Sequence, residues 1–490
     1  MIATIQQALR TSVFSRAAGV SLVACLVAPT AAAPNYWIGT AGDGVWEAGA
    51  SQNNWLGGVY SPAPSTANEY RFVVGGNATE QITLQGGHQP IAQFMVFDSN
   101  ANTPLNITVD GTGGSKLVFV PDTRSPAERA SGAGGDGETV RVEPGFQASI
   151  DASNDGVVEL SGNRIDMFIG NNALLRVDAP VVGTGSSARI LTTGEGLLAL
   201  TNNASTFEGG VHSQSAIDFT SVGNAGEPSS LGTGAQGNIQ IGSPFQADNQ
   251  IRYIGTGTQT TDREIVLVLG RGELVAERRV LSQEGTLILT GGIRQLRNET
   301  PISRLRLGGG GDIEVRNVGI SGGIDLFKIG TGTVTLGTAS TYAGNTQVFA
   351  GTLRLEADNA LPQDSNLWLR GNVEVADVLL DLGTLELAGD SFIIADEGTP
   401  FDLSFANSSE VDWEDFTLDI LNWTPETLLR FGTDATGLTP TQLSLISIDG
   451  VQAVISSDGF ISPVPEPGTL ALLGPTALMT LRRRRAAGAC

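Results

Sequence analysis

The stretch that decides the fold runs Leu326-Phe327-Lys328-Ile329-Gly330-Thr331-Gly332-Thr333-Val334-Thr335-Leu336. It continues as Ser340-Thr341-Tyr342-Ala343-Gly344-Asn345-Thr346 and then Ala350-Gly351-Thr352-Leu353-Arg354-Leu355. Val334 and Leu336 flank a threonine, and Leu353 and Leu355 flank an arginine. Alternation with period two sends one set of side chains inward and the polar set outward, which is the pattern of a half-buried strand. The spacing predicts that Val334, Leu336, Leu353 and Leu355 face a core. Gly330, Gly332, Gly344 and Gly351 are expected at corners, where a positive φ or a close backbone approach is needed.

The same short pattern recurs along the chain from about residue 70 to 395. Examples are Ile82-Thr83-Leu84, Ile107-Thr108-Val109, Val140-Arg141-Val142, Ile239-Gln240-Ile241, Ile313-Glu314-Val315 and Leu385-Glu386-Leu387. Such triplets return roughly every 8–15 residues between glycine-rich turns, as in a sandwich or a solenoid. A longer repeat favours the solenoid. Gly194–Leu200 matches Gly330–Leu336, Ser205–Gly209 matches Ser340–Gly344, and Asn224-Ala225 matches Asn359-Ala360, with one single-residue slip between the blocks. A recurring group of rungs would produce this register.

The stretch over 326–355 resembles the autotransporter-associated β-strand repeat, and 190–232 resembles it more weakly. That resemblance implies an all-β, right-handed parallel β-helix. The openings Tyr36-Trp37-Ile38-Gly39, Gly44-Val45-Trp46 and Asn53-Asn54-Trp55 are similar to the tryptophan-rich start of secreted passenger proteins. They are read as a cap on the first rung, with carbohydrate stacking as the alternative. The expected organisation is a signal peptide over 1–33, an N-terminal cap and first strands over 34–121 and a loop or linker over 122–138. The β-helix then covers 139–395, and a C-terminal cap and stalk covers 396–462. Within that last region Thr439-Pro440-Thr441-Gln442 forms a capping box with proline at the first helical position. No translocator barrel is expected at the C-terminus, so the chain does not export itself.

Both ends read as addresses. Arg10 and Arg16 precede an apolar run from Ala17 to Val27, and the small residues Ala31, Ala32 and Ala33 form a signal cleavage region. Pro34 disfavours cleavage after Ala33, which places the site near Ala32. Leu22-Val23-Ala24-Cys25 resembles a lipoprotein box, and lipidation at Cys25 is the alternative processing. At the other end Pro463-Val464-Pro465-Glu466-Pro467-Gly468 leads into an apolar run from Thr469 to Leu481, followed by Arg482, Arg483, Arg484 and Arg485. Prolines keep the first part extended. The apolar run is a short hydrophobic sorting helix that dips into a bilayer, and the arginines hold its end on the cytoplasmic side. This tail resembles the PEP-CTERM sorting signal of Gram-negative bacteria. The resemblance implies recognition by a membrane exosortase, cleavage near Pro465, Glu466 and Pro467, and transient membrane anchoring before release to the envelope, surface or matrix.

Composition narrows the function. Of 490 residues, 64 are glycine, two are cysteine and two are histidine, and the formal net charge is −23. An acidic chain is a poor partner for nucleic acid. Two His and two Cys build no zinc module, and the disulfide-scaffold class is excluded. Removing Arg10, Arg16 and the four terminal arginines makes the remaining body more acidic still.

Three patterns carry residues of catalytic or ligating type. Gly319-Ile320-Ser321-Gly322-Gly323 fits G-x-S-x-G, but no helix is expected after it and both His88 and His212 precede it, so it is read as a β-turn. Asp151-Ala152-Ser153-Asn154-Asp155-Gly156 begins like a calcium loop, yet position twelve is Gly162 and not glutamate. No cofactor is therefore expected, with calcium on a looser set of acidic turns left as the alternative. Paired carboxylates on adjacent rungs could cleave polysaccharide, but no cluster stands out. No catalytic, cofactor-binding or metal residue is assigned. The expectation is a secreted, non-catalytic surface protein of the cell envelope, adhesion or exopolysaccharide matrix, with exosortase, the secretion machinery and extracellular polysaccharide as partners. A β-helical polysaccharide lyase or glycoside hydrolase is the alternative, and an outer-membrane lipoprotein adhesin is the second.

Overall fold

The computed structural model describes residues 138–464 except 163, 243–247, 269–276 and 297–302. It also describes 35–37, 45–46, 69–74, 81–87, 89–92, 94–99 and 104–121. Short strands dominate these residues, and every pairing between strands that precede Val451 is parallel. The chain visits its sheets in a fixed order, turn after turn. A 12-stranded sheet begins at Asn35–Trp37 and ends at Thr341–Tyr342, and a 14-stranded sheet begins at Val45–Trp46 and ends at Leu385–Leu387. The third side is a 4-stranded sheet from Ile91–Ala92 to Val181–Val182, and later an 11-stranded sheet that begins at Thr258–Thr261. Consecutive parallel rungs of this kind make an all-β, solenoid-like fold.

Alternation builds the core as expected. Val334, Leu336, Leu353 and Leu355 are all buried. Val334 faces Leu353 and Leu353 faces Val373 in register, so identical positions stack along the ladder. One inward row of the 14-stranded sheet runs Ile217, Ile251, Val280, Leu307, Lys328, Val348, Leu369 and Leu387. Each buried aliphatic side chain in such a row contributes about 1.5–3 kcal/mol.

The glycine expectation splits into two mechanisms. Gly330 and Gly351 have φ of 73° and 66°. Gly332 and Gly344 serve by close approach: a Cβ on Gly332 would meet the Gly311 carbonyl oxygen at 2.1 Å, and one on Gly344 the Ile324 carbonyl oxygen at 2.4 Å.

The long repeat has a different origin from the one expected. Leu197–Leu200 lies in the 14-stranded sheet, whereas Thr333–Leu336 lies in the 11-stranded sheet on another side of the coil. The two copies are therefore not the same rung position. They share a local solution instead. Gly194 and Gly330 both have positive φ, and Gly196 and Gly332 both press on a carbonyl oxygen of the preceding turn. Ser205 and Ser340 each accept an amide proton from the rung before, from Val181 and Ile320 respectively.

Among the described residues the third side carries no strand between Val182 and Thr258. Segments 201–210 and 220–238 fill it and remain stitched to the stack, for example by Thr206 N to Val181 O at 2.8 Å and Thr233 N to Phe207 O at 3.0 Å. Toward the C-terminus the parallel ladder runs past residue 395. Strand Ser391–Ala395 pairs with Leu418–Leu421, which pairs with Ile446–Ile448. The predicted capping box is present: Thr439 accepts from Gln442 N at 3.1 Å, and Gln442 Oε1 accepts from Thr439 N at 2.8 Å. The helix it starts, Pro440–Ser444, is the only helix among the described residues. The stack then ends in two antiparallel pairings, Ile446–Ile448 with Val451–Ile455, and Val451–Ile455 with Ile461–Pro463.

Candidate functional site

Two outward-facing features of the 14-stranded sheet stand out. The first is aromatic. Phe327 faces Gln347, which faces Trp368, which faces Glu386 on successive rungs, and Phe349 lies two residues beyond Gln347. The Phe327 and Phe349 rings stack with centroids 5.8 Å apart and planes 16° apart. Phe349 and Trp368 are 4.8 Å apart but tilted by 51°. Phe349 and Trp368 are half-buried, whereas Phe327 is buried. Arg304 and Arg306 lie over Phe327 at 5.7 and 5.8 Å. The Trp368 indole N–H donates to Glu386 at 3.1 Å. Arg370 is exposed two residues beyond Trp368.

The second feature is acidic. Gln147–Ser153 pairs with the strand ending at Val177, with Ile150 opposite Val177, which brings Asp151 level with Asp178 at the corner of the third side. Arg176 Nε donates to both Asp178 oxygens, at 2.9 and 2.7 Å, and Thr201 donates to Oδ1. Asn106 donates to Asp151 Oδ2. Burial pushes Asp151 upward, and the Asp178 charge adds to the rise. Asp178 is held below its ordinary value: burial opposes this, but Arg176, Thr201 and Asp151 outweigh it.

Two further charged groups are structural. Lys328 is fully buried in an inward apolar row. Its ammonium donates to the carbonyls of Ile329, Gly330 and Ala350 at 3.1, 2.8 and 2.8 Å, and burial lowers its pKa to about 8. On the 11-stranded sheet Arg354 binds Asp396 bidentately at 2.9 and 2.8 Å, Glu356 at 2.6 Å and Glu374 at 3.2 Å. Glu356 also binds Arg316.

The residues singled out in the sequence fall as follows. Ser321 lies in a strand ladder between Arg294 and Thr341, followed by another strand. Asp151 sits inside strand Gln147–Ser153, and only Asn154 and Asp155 form the turn. Among the described residues no group of three or more metal-ligating side chains converges. No helix among them is long and apolar enough to cross a membrane. Cys25, the cleavage region Ala31, Ala32 and Ala33, the motif Pro465, Glu466 and Pro467, and Arg482, Arg483, Arg484 and Arg485 all lie outside the described residues. So do His88, 122–137 of the expected linker, and the side chains of the tryptophan-rich opening. Parity alone would have sent Phe327 outward and Lys328 inward. The Asp151 and Asp178 pair needed the register. No protein-family model, curated protein or solved structure matches this chain.

Proposed function

We propose that this chain is a secreted, surface-displayed, non-catalytic right-handed parallel β-helix that contacts extracellular polysaccharide through its outward aromatic row. The observation that carries the reading is the half-buried Phe349 and Trp368 pair beside Glu386 and Arg370. An aromatic face accepts the C–H face of a pyranose, and flanking carboxylate and guanidinium groups accept and donate to its hydroxyls. Rungs advance by about 4.8 Å, close to the length of one sugar unit, so a glycan laid along the ladder meets the row repeatedly. The PEP-CTERM-like tail supplies the route: exosortase recognition, transient anchoring and delivery to the envelope or matrix.

Two measurements test this. Purified chain is expected to co-sediment with insoluble matrix polysaccharide, and Trp368→Ala is expected to lose most of that binding while keeping the wild-type circular dichroism. Equal binding by both proteins removes the aromatic row from the reading. The mature protein from the native host is expected to end near Glu466 by intact mass, and retention of Arg482–Arg485 overturns the sorting proposal.

The Asp151 and Asp178 pair favours a second reading, hydrolysis of a glycan. Glycosidase carboxyls stand about 5–9.5 Å apart to leave room for sugar and water. Carboxyls in hydrogen-bonding contact leave no such room, which supports the non-catalytic reading. Release of oligosaccharides from matrix polymer would reverse the order.

A further inference from the structure

Asp151 and Asp178 meet across two rungs with unequal support. Asp178 is fully engaged by Arg176 and Thr201. Asp151 has one donor, Asn106, on Oδ2, while its Oδ1 is buried and meets no donor. A buried carboxylate oxygen without a donor is costly. The register sets Asp178 level with Asp151 on the next rung, and the two carboxyls interact there. Two ionised carboxylates in contact repel, and one proton between them turns the repulsion into a hydrogen bond.

We propose that Asp151 and Asp178 form a proton-sharing clasp between consecutive rungs, closed while the pair holds one proton and loosened when it holds none. The surroundings are consistent with a single shared proton. Across the ladder on one side stand Asn106 and Thr108, with Asp110 at the strand's end engaged by Asn154 and Thr112. On the other side stand Arg176, Asp178 and Thr201, and Ser149 is on the same strand. Arg176 is the one cation of the group and is committed to Asp178.

The direction with pH follows from linkage. Asp151 is raised in the fold, so its contribution is present at low pH and is lost as pH climbs through its folded value. Asp178 is lowered, so its contribution is present above the ordinary carboxylate range and is lost as pH falls through its folded value. The clasp is therefore tightest close to the ordinary carboxylate range and loosens as pH climbs through the raised Asp151 value.

Hydrogen exchange by mass spectrometry on the full chain tests this at about pH 4, beside the ordinary carboxylate value, and at about pH 7.5, corrected for the intrinsic chemical rate. Peptides covering 147–153 and 174–182 are expected to open several-fold faster at the higher pH, while 391–395 and 418–421 stay level. Asp151→Asn carries no charge and offers an amide donor to Asp178, so it is expected to hold the slow rate at both values. Equal exchange of the two wild-type peptides at both pH values overturns the clasp. So does an unchanged pH dependence in Asp151→Asn. Where that variant does not fold, the wild-type comparison against the reference peptides decides.

Discussion

Gly196 and Gly332 sit at different corners yet meet the same obstacle, a carbonyl oxygen of the turn below at 2.3 and 2.1 Å from where a Cβ would stand. Backbone on backbone cannot yield as a flexible side chain can. Gly332→Ala is expected to cost about 3 kcal/mol. Gly257→Ala, where a Cβ finds nothing within 4 Å and φ is ordinary, is expected to be neutral or stabilising by about 0.5 kcal/mol. Urea unfolding of the two variants measures the contrast. Lys328 offers a second test at this scale. Burial lowers its pKa from 10.5 to about 8, so between those values the unfolded chain holds the proton that the folded chain has released. Stability then rises as pH climbs through that window, by at most about 3 kcal/mol. Denaturation at stepped pH should show the rise in the wild-type protein and its absence in Lys328→Met.

Within a strand most of the structure was legible. Ile313-Glu314-Val315 declares one inward face by itself, because Glu314 cannot share the core with Ile313 and Val315. The capping box at Thr439 and Gln442 was legible for the same reason: all its partners lie within four residues. Which strand neighbours which was not, since the rung length changes. Leu105 faces Ala148 in one turn and Leu367 faces Leu385 in another. The acid pair, the aromatic row and the Arg354 cluster all depend on that register, so alternation alone could place their members on a face but could not bring them together. The cluster has its own test. Arg354 ties three acids from three rungs, and Asp396 and Glu356 raise its proton affinity further. Arg354→Met leaves those acids repelling one another and is expected to lose about 1–2 kcal/mol. Thermal melts should show the gap narrowing in about 1 M salt, where screening falls within a few ångströms.

Backbone pairing joins each described rung only to its neighbours along the ladder, so stability is largely a sum of local terms and the last rung needs protection. The antiparallel strands Val451–Ile455 and Ile461–Pro463, with the helix Pro440–Ser444, supply it. A chain ending at Thr439 presents the unpaired edge of Leu418–Leu421 to solvent, a template for another copy. Light scattering after size exclusion is expected to show oligomers for that truncation and a smaller species for the full chain. The interior lysine also gives the coil a way to report on itself. Only Lys116 and Lys328 carry ε-amines; Lys116 is about 30% exposed, whereas Lys328 is sealed. An amine-reactive label applied to the intact protein therefore marks Lys116 and passes over Lys328. The share of molecules labelled at Lys328 counts those whose coil has come apart around residue 328, a tally written in mass and needing no engineered residue.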